Sequence, residues 1–328
     1  MQVLGQPKAL SFLVQLVRTQ RVPGALLFYG PDGVGKKLTA LEFAKALNCT
    51  HVQPDGSPCG TCASCRAVDK GIHPDVTLVD YAYQARLEMK KDASSQSYEG
   101  DLEKEIAKQQ HINVGTIRVV TAKSQQKQVQ DGWKVFILDE AQSMQAAAAN
   151  ALLKFIEEPP AKTVWILISS KRSSMLRTIL SRCQPLAFGP LAEKDILQII
   201  AQNGLSLSQP QLAARYSGGS VSGALAADEA VALLEEGNFA TPAGSMAVVS
   251  SLSRVTVTAR QEAQTILDVL IRALHRKWTE ETVSSRSHKI RPLLKRFETY
   301  KRSIARNVSP SLVLETALMS LDGLDLSL

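Results

Sequence analysis

The chain has 328 residues and a net charge of +7, with 45% hydrophobic, 21% charged and 5% aromatic residues. This balance argues against disorder and fits a helix-rich globular protein of two or three domains. No apolar run reaches the roughly 18 residues a membrane span requires, and Met1 to Phe12 lacks a basic region ahead of a hydrophobic signal core, so the expectation is a cytoplasmic protein with no membrane partner.

Ala25 to Tyr29 is a short apolar run ending in the turn Gly30-Pro31-Asp32-Gly33-Val34-Gly35-Lys36-Lys37. From Lys37 to Leu47 the apolar residues Leu38, Leu41, Phe43 and Leu47 then fall at helical spacing. Strand, loop and helix in this order let a G-x-x-x-x-G-K loop aim backbone N–H groups and a helix N-terminus at phosphates. Gly30, Gly33, Gly35 and Lys36 are the candidate nucleotide-binding residues. The next position ordinarily supplies a hydroxyl ligand for Mg²⁺, but here it is Lys37. The loop is therefore degenerate, and whether it binds ATP or Mg²⁺ stays open.

Cys49, Cys59, Cys62 and Cys65 follow as C-x9-C-x2-C-x2-C, with Gly60 in the tight turn. A reducing compartment disfavours disulfides. Four thiolates at this spacing match a closed structural Zn²⁺ site without an open catalytic position. An iron–sulfur cluster and four unliganded thiols are the rival readings.

Asp75 to Asp80, Val135 to Leu138 and Val164 to Ile168 are further apolar runs of buried-strand type, with helical stretches between them. They predict an α/β domain over 1–190 whose parallel sheet is covered on both faces. The stretch 84–110 is polar, with the tract Ala93 to Ser97, and reads as an exposed insertion. Val135 to Leu138 runs into Asp139 and Glu140. Paired with the glycine loop, Asp139 is placed to help hold Mg²⁺ and Glu140 to polarise a water; taken alone, the two acids read rather as caps of a following helix. Pro159-Pro160 stops that helix.

Beyond Pro190 the patterns are helical at 193–203, 208–216, 221–236, 261–278 and 292–306, punctuated by Gly218-Gly219 and by Thr241 to Gly244. This predicts a small helical domain over 191–240 and a helical C-terminal domain over 241–328. Residues 243–328 hold 13 Lys/Arg against 8 Asp/Glu, which reads either as a phosphate-attracting surface or as ordinary solvated helix faces.

The glycine loop, the cysteine excursion after its helix, Asp131 to Lys134, Asn150 to Lys154, Glu157 to Pro160 and Ser181-Arg182-Cys183 together resemble the bacterial clamp-loader subunits of the AAA+ class, the family of the DNA polymerase III clamp loader. Arg306 to Pro310 resembles that family's last-helix motif. The resemblance implies an AAA+ P-loop domain with a zinc module, a helical lid, and a collar domain that joins a five-subunit ring. It implies gamma/tau and delta subunits, a β sliding clamp and primer–template DNA as partners, within a DNA-directed DNA polymerase assembly. It also implies that Arg182 is an arginine finger acting on a neighbouring subunit's ATP site; alone, Arg182 reads as one half of a local ion pair.

Two departures matter. Family motor subunits carry Ser or Thr where this chain has Lys37, and an arginine in a lid stretch that here, from Ser217 to Leu225, has none. This is the pattern of a subunit that completes its neighbour's site without hydrolysing ATP itself. An active gamma/tau-type ATPase and a zinc-dependent nucleic-acid-binding module with a vestigial loop remain the alternatives.

Overall fold

The computed structural model describes residues 3–91, 99–237, 241–280, 287–306, 308–321, 324 and 326. They divide into two compact units, Met1–Gly189 and Pro190–Leu328. No helix among the described residues is long and apolar enough to cross a membrane.

The first unit is built on five parallel strands: β1 (Ala25–Tyr29), β2 (Val76–Val79), β3 (Lys134–Leu138), β4 (Thr163–Ser169) and β5 (Gln184–Ala187). Their order is β2-β3-β4-β1-β5. Every residue of β3 and β4 is buried, as strands covered on both faces must be, and so both appear in the sequence as unbroken apolar runs. Phe136 and Trp165 are register partners on these strands, and their rings stack with centroids 4.5 Å apart. Ile117, Leu138, Leu152, Ile156 and Leu167 complete that core.

Helices α1 (Pro7–Thr19), α2 (Lys36–Asn48), α3 (Ala63–Asp69), α4 (Tyr81–Lys91), α5 (Glu99–Lys108), α6 (Val114–Gln125), α7 (Ala146–Glu157) and α8 (Arg177–Leu180) belong to this unit. Asn113 caps α6 by accepting from the Thr116 N–H at 2.9 Å. The helix expected directly after Glu140 begins later: Ala141–Ser143 is a single 3₁₀ turn, and α7 starts at Ala146.

The polar stretch 84–110 supplies most of α4 and all of α5, which pack on each other. Gln84 is buried: it donates to the His111 carbonyl at 2.9 Å and accepts from Asn113 N and Thr116 Oγ1, each at 2.9 Å. These polar contacts tie α4 to the start of α6. The tract Ala93 to Ser97 lies outside the described residues.

The second unit is helical: α9 (Glu193–Gln202), α10 (Pro210–Tyr216), α11 (Val221–Gly237), α12 (Pro242–Ser250), α13 (Thr256–Glu280), α14 (Ser287–Ala305) and α15 (Pro310–Met319). Asp228 accepts from the Ser208 and Gln209 N–H groups, both at 2.8 Å, and so holds the start of α10 to α11. One buried cluster includes Tyr216, Val231, Leu267, Leu270, Phe297 and Leu314. Thr241 to Gly244 is the start of α12, with the Thr241 hydroxyl accepting from Gly244 N at 3.1 Å. In the Arg306 to Pro310 motif, Asn307 lies outside the described residues and Pro310 opens α15.

Because Trp165 is fully buried against Phe136, Trp165→Ala is expected to destabilise the first unit by about 3–5 kcal/mol. Trp165→Phe, which keeps a ring on that surface, should cost less than half as much in urea unfolding followed by circular dichroism.

Candidate functional site

The glycine loop leaves the carboxyl end of β1. Gly30 has φ 152°, and a Cβ there would lie 2.1 Å from the Phe188 carbonyl oxygen, so only glycine lets the loop pass β5. Gly33 and Gly35 take left-handed φ of 72° and 92°, and α2 starts at Lys36 with Gly35 as its N-cap. Lys36 is buried and turned back into the loop, donating to the carbonyls of Gly30, at 2.7 Å, and Pro31, with Asp32 at 3.4 Å.

Asp139 and Glu140 follow β3 at the same end of the sheet. The Lys37 ammonium lies between two carboxylates, 3.0 Å from Asp80 and 3.2 Å from Asp139. Burial pulls its pKa down, but the hydrogen bond and charge of Asp80, then those of Asp139, outweigh this and leave it above the ordinary lysine value. Glu140 adopts φ 51°, a left-handed conformation that a non-glycine residue holds only where its surroundings fix it. Burial first, then the charges of Asp139 and Asp32, raise its pKa. The sequence assigned no role to Asp80; an acid ending the strand beside β3 was the available signal.

Arg182 lies elsewhere. It precedes β5, whose Gln184 pairs with Leu26 near the amino end of β1, and it lines a shallow cleft with Pro23, Gly24, Glu157, Pro159 and Ser181. Its guanidinium is ion-paired with Glu157 and donates to the Thr178 carbonyl at 3.0 Å and to the Ser181 hydroxyl at 3.2 Å. The length of β1, about 13 Å for four residue steps, separates this end of the sheet from the chain's own glycine loop. The neighbouring Cys183 is a core residue, and burial pushes its thiol up to about 12.

The sulfurs of Cys49, Cys59, Cys62 and Cys65 all lie within 4.8 Å of one another, close enough for one metal ion to bind all four. Backbone N–H groups point at them: Cys59 N at Cys49 Sγ (3.2 Å), Cys62 N at Cys59 Sγ (3.3 Å) and Cys65 N at Cys62 Sγ (3.4 Å). Gly60 makes the knuckle turn at φ 72° with open space around it, so the backbone conformation rather than crowding selects glycine. Burial opposes charge on Cys62, yet the N–H groups of Cys65 and Thr50 prevail and bring its thiol down to about 5. Backbone N–H groups of Thr61 and Cys62 lower Cys59, whereas burial raises Cys49 and Cys65.

In the second unit, the stretch from Ser217 that lacks an arginine of its own is met by one from α13. Arg272 donates to the Tyr216 carbonyl, and a Cβ on Gly218 would lie 2.4 Å from its guanidinium.

The fold raises the pKa of Glu140, so its charge costs stability above that raised pKa, and the cost vanishes once the pH falls below the ordinary 4.5. Glu140→Gln, which can still accept from Gln142, is therefore expected to raise the unfolding temperature at pH 7 and to leave it unchanged below that ordinary value. Thermal melts at the two pH values check this.

Residues 5–192 match the family described as DNA polymerase III, delta subunit. The chain is 32% identical over 212 residues to the Bacillus subtilis DNA polymerase III subunit delta', an alignment covering 65% of this chain and 56% of that protein. It is 30% identical over 238 residues to the Haemophilus influenzae subunit tau/gamma, covering 70% of this chain and 30% of that one. These alignments thus span about a third to just over half of the relatives' lengths. Among solved structures, a DNA polymerase III gamma subunit-related protein from Thermotoga maritima shares the fold at a TM-score of 0.51 and 18% identity, over 95% of this chain and 98% of that one. With the glycine loop, the cysteine knuckle and the Ser-Arg-Cys turn set on this parallel sheet, the chain belongs to the DNA polymerase III delta-subunit family.

Proposed function

We propose that the chain serves as a delta-prime-type subunit of the DNA polymerase III clamp loader, helping ATP-driven loading of the β sliding clamp onto primed DNA in the cytoplasm. It would stand in a ring with gamma/tau and delta subunits, joined through a collar domain at 241–328 and carrying a helical lid at 191–240. In this reading the chain hydrolyses no ATP, and Arg182 acts as a finger on a neighbouring gamma/tau site.

The observation that carries this is the position of Arg182, at the opposite end of β1 from the chain's own loop, so that a phosphate it reaches belongs to another molecule. Its pair with Glu157 is partly exposed on both sides. Such a pair is worth about 0–1 kcal/mol and yields readily to a stronger anion. A guanidinium presented to a transferring phosphoryl group stabilises its developing charge. The loop's own chemistry points the same way, because Lys37 supplies no hydroxyl for Mg²⁺.

The cysteine cluster is assigned to structural Zn²⁺, since four thiolates fill a tetrahedral shell with Zn–S bonds of about 2.3 Å. One zinc per chain is expected by elemental analysis, and Cys62→Ser should release it together with protection of residues 49–65 from proteolysis. Iron, or freely reactive thiols in the folded chain, overturns the assignment.

Two assays test the function. The isolated chain should turn over ATP at background only; turnover that vanishes in Lys36→Ala identifies a gamma/tau-type motor instead. In a reconstituted loader, Arg182→Ala should leave assembly and zinc content intact while lowering DNA- and clamp-stimulated ATPase. The loss at the affected site is about 10³-fold or more, diluted in bulk by the other sites. An unmodified rate in confirmed assemblies returns Arg182 to a purely local ion pair with Glu157.

A further inference from the structure

The two lysines of the glycine loop have their charges settled inside the protein. Lys36 has three ammonium hydrogens and three acceptors in Gly30, Pro31 and Asp32. Lys37 projects from the helix position that ordinarily carries the metal's hydroxyl ligand, and its ammonium lies 3.0 Å from Asp80 and 3.2 Å from Asp139. Asp139 is the carboxylate that a P-loop NTPase spends on Mg²⁺.

Mg²⁺ does not fit this arrangement. It demands near-octahedral oxygen ligands at about 2.0–2.1 Å. Here one oxygen ligand has been replaced by a cation, and that cation holds the second ligand at hydrogen-bond distance. A dication entering beside Asp139 meets a fixed positive charge instead of two anionic or neutral oxygens.

The loop itself is intact. Its glycines keep the φ values and the close approach to Phe188 that the cradle needs, and α2 still offers its free N–H groups at Lys36 and Lys37. Four carboxylates, those of Asp32, Asp80, Asp139 and the adjoining Glu140, already gather at this end of the sheet around Lys36 and Lys37. A third phosphate adds more negative charge, with no dication to offset it. A diphosphate asks less of the two lysines.

We infer that the Lys37 ammonium is a built-in monovalent replacement for the divalent cation, and that the Gly30 to Lys37 loop takes a nucleoside diphosphate without metal. The inference deepens the proposed function and rests on its reading of the loop as non-hydrolysing. On binding, the diphosphate oxygens take over the Lys36 hydrogens now given to Gly30 and Pro31, and Lys37 bridges phosphate and Asp139 where Mg²⁺ would bridge them in a motor subunit.

Isothermal titration of ADP and ATP into the full chain tests this, in buffer with excess Mg²⁺ and in buffer stripped of divalent ions over a chelating resin. Free EDTA is avoided because it competes for metal at the cysteines. Unmodified chain should bind ADP no more tightly with Mg²⁺ than without, and ATP more weakly than ADP. Lys37→Thr, which restores a hydroxyl and frees Asp139, should make ADP binding Mg²⁺-dependent by about 10-fold or more, which is about 1.4 kcal/mol. Lys37→Ala should bind less tightly than the unmodified chain in the stripped buffer. Zinc content and an unchanged unfolding curve certify that each variant is folded.

Tenfold tighter ADP binding by the unmodified chain in Mg²⁺ overturns the inference. So does an absence of ADP binding in both buffers, or a Lys37→Thr chain that stays indifferent to Mg²⁺. None of these outcomes alters the Arg182 assay in the assembled loader, which reads the opposite end of β1, so the two readings fail separately.

Discussion

Strand β1 is hydrogen-bonded along both edges, to β4 and to β5, and all three run in the same direction. The placement of the glycine loop, its facing acids and Arg182 depends on that shared polarity. In a parallel sheet the carboxyl ends of all strands open on one side, so the loop after β1, Asp80 after β2 and Asp139-Glu140 after β3 converge although more than one hundred residues separate the first from the last. The same rule sends the turn before β5 to the other side, and Arg182 with it. One strand direction therefore sets the glycine loop and Arg182 at opposite ends of a single unit, the separation on which the proposed action of Arg182 on a neighbour rests.

The two ends treat charge differently. At the carboxyl end, Lys36 and Lys37 are engaged by groups of the loop and the sheet, and the acids crowd one another enough to raise Glu140. At the other end Arg182 is held by one partly exposed carboxylate and two oxygen acceptors. Both cations are partly exposed, but Lys37 is gripped by two carboxylates that are each less exposed than Glu157, so it resists exchange more than Arg182 with its single, more solvated partner does. Of the two cations, Arg182 is thus the one more readily re-paired and Lys37 the one more firmly held.

Much of this was legible in the sequence because burial on both faces writes strands β1, β3 and β4 as plain apolar runs, and because glycines and cysteines at fixed spacing report backbone geometry directly. Strand β5 was not legible. Its Pro185 breaks the pattern of a buried strand, yet it is tolerated because β5 pairs only with β1 and lies at the sheet edge. Gln84 misled for the opposite reason: a buried polar residue satisfied by His111, Asn113 and Thr116 leaves no apolar signature. The pairing of Lys37 with Asp80 joins positions 43 apart in the chain, and no local pattern encodes it. The sequence shows that a lysine replaces the hydroxyl, whereas the fold shows that its ammonium engages Asp80 and Asp139.

The cysteine excursion shows how a segment without a core is held at its borders. Asn48, directly before Cys49, accepts from Trp133 N at 2.8 Å and donates to its carbonyl at 3.1 Å, and a Cβ on Gly132 would lie 2.1 Å from that side chain. The Asp131 to Lys134 run is thus explained by its fit to the root of the excursion. At the far border, Ser64 meets His73 at 3.1 Å, His73 accepts from Asp75 N, and the Asp75 carboxylate takes the N–H groups of Val129 and Gln130. Between these anchors the backbone at Gly56 lies against Val14 of α1, where a Cβ would come within 2.8 Å. Both borders are fixed by the sheet without help from the sulfurs, so a metal at the cysteines would order only the span between them and its seat on α1. The glycine loop before α2 is independent of that order, because its geometry is set by β1, β5 and Phe188.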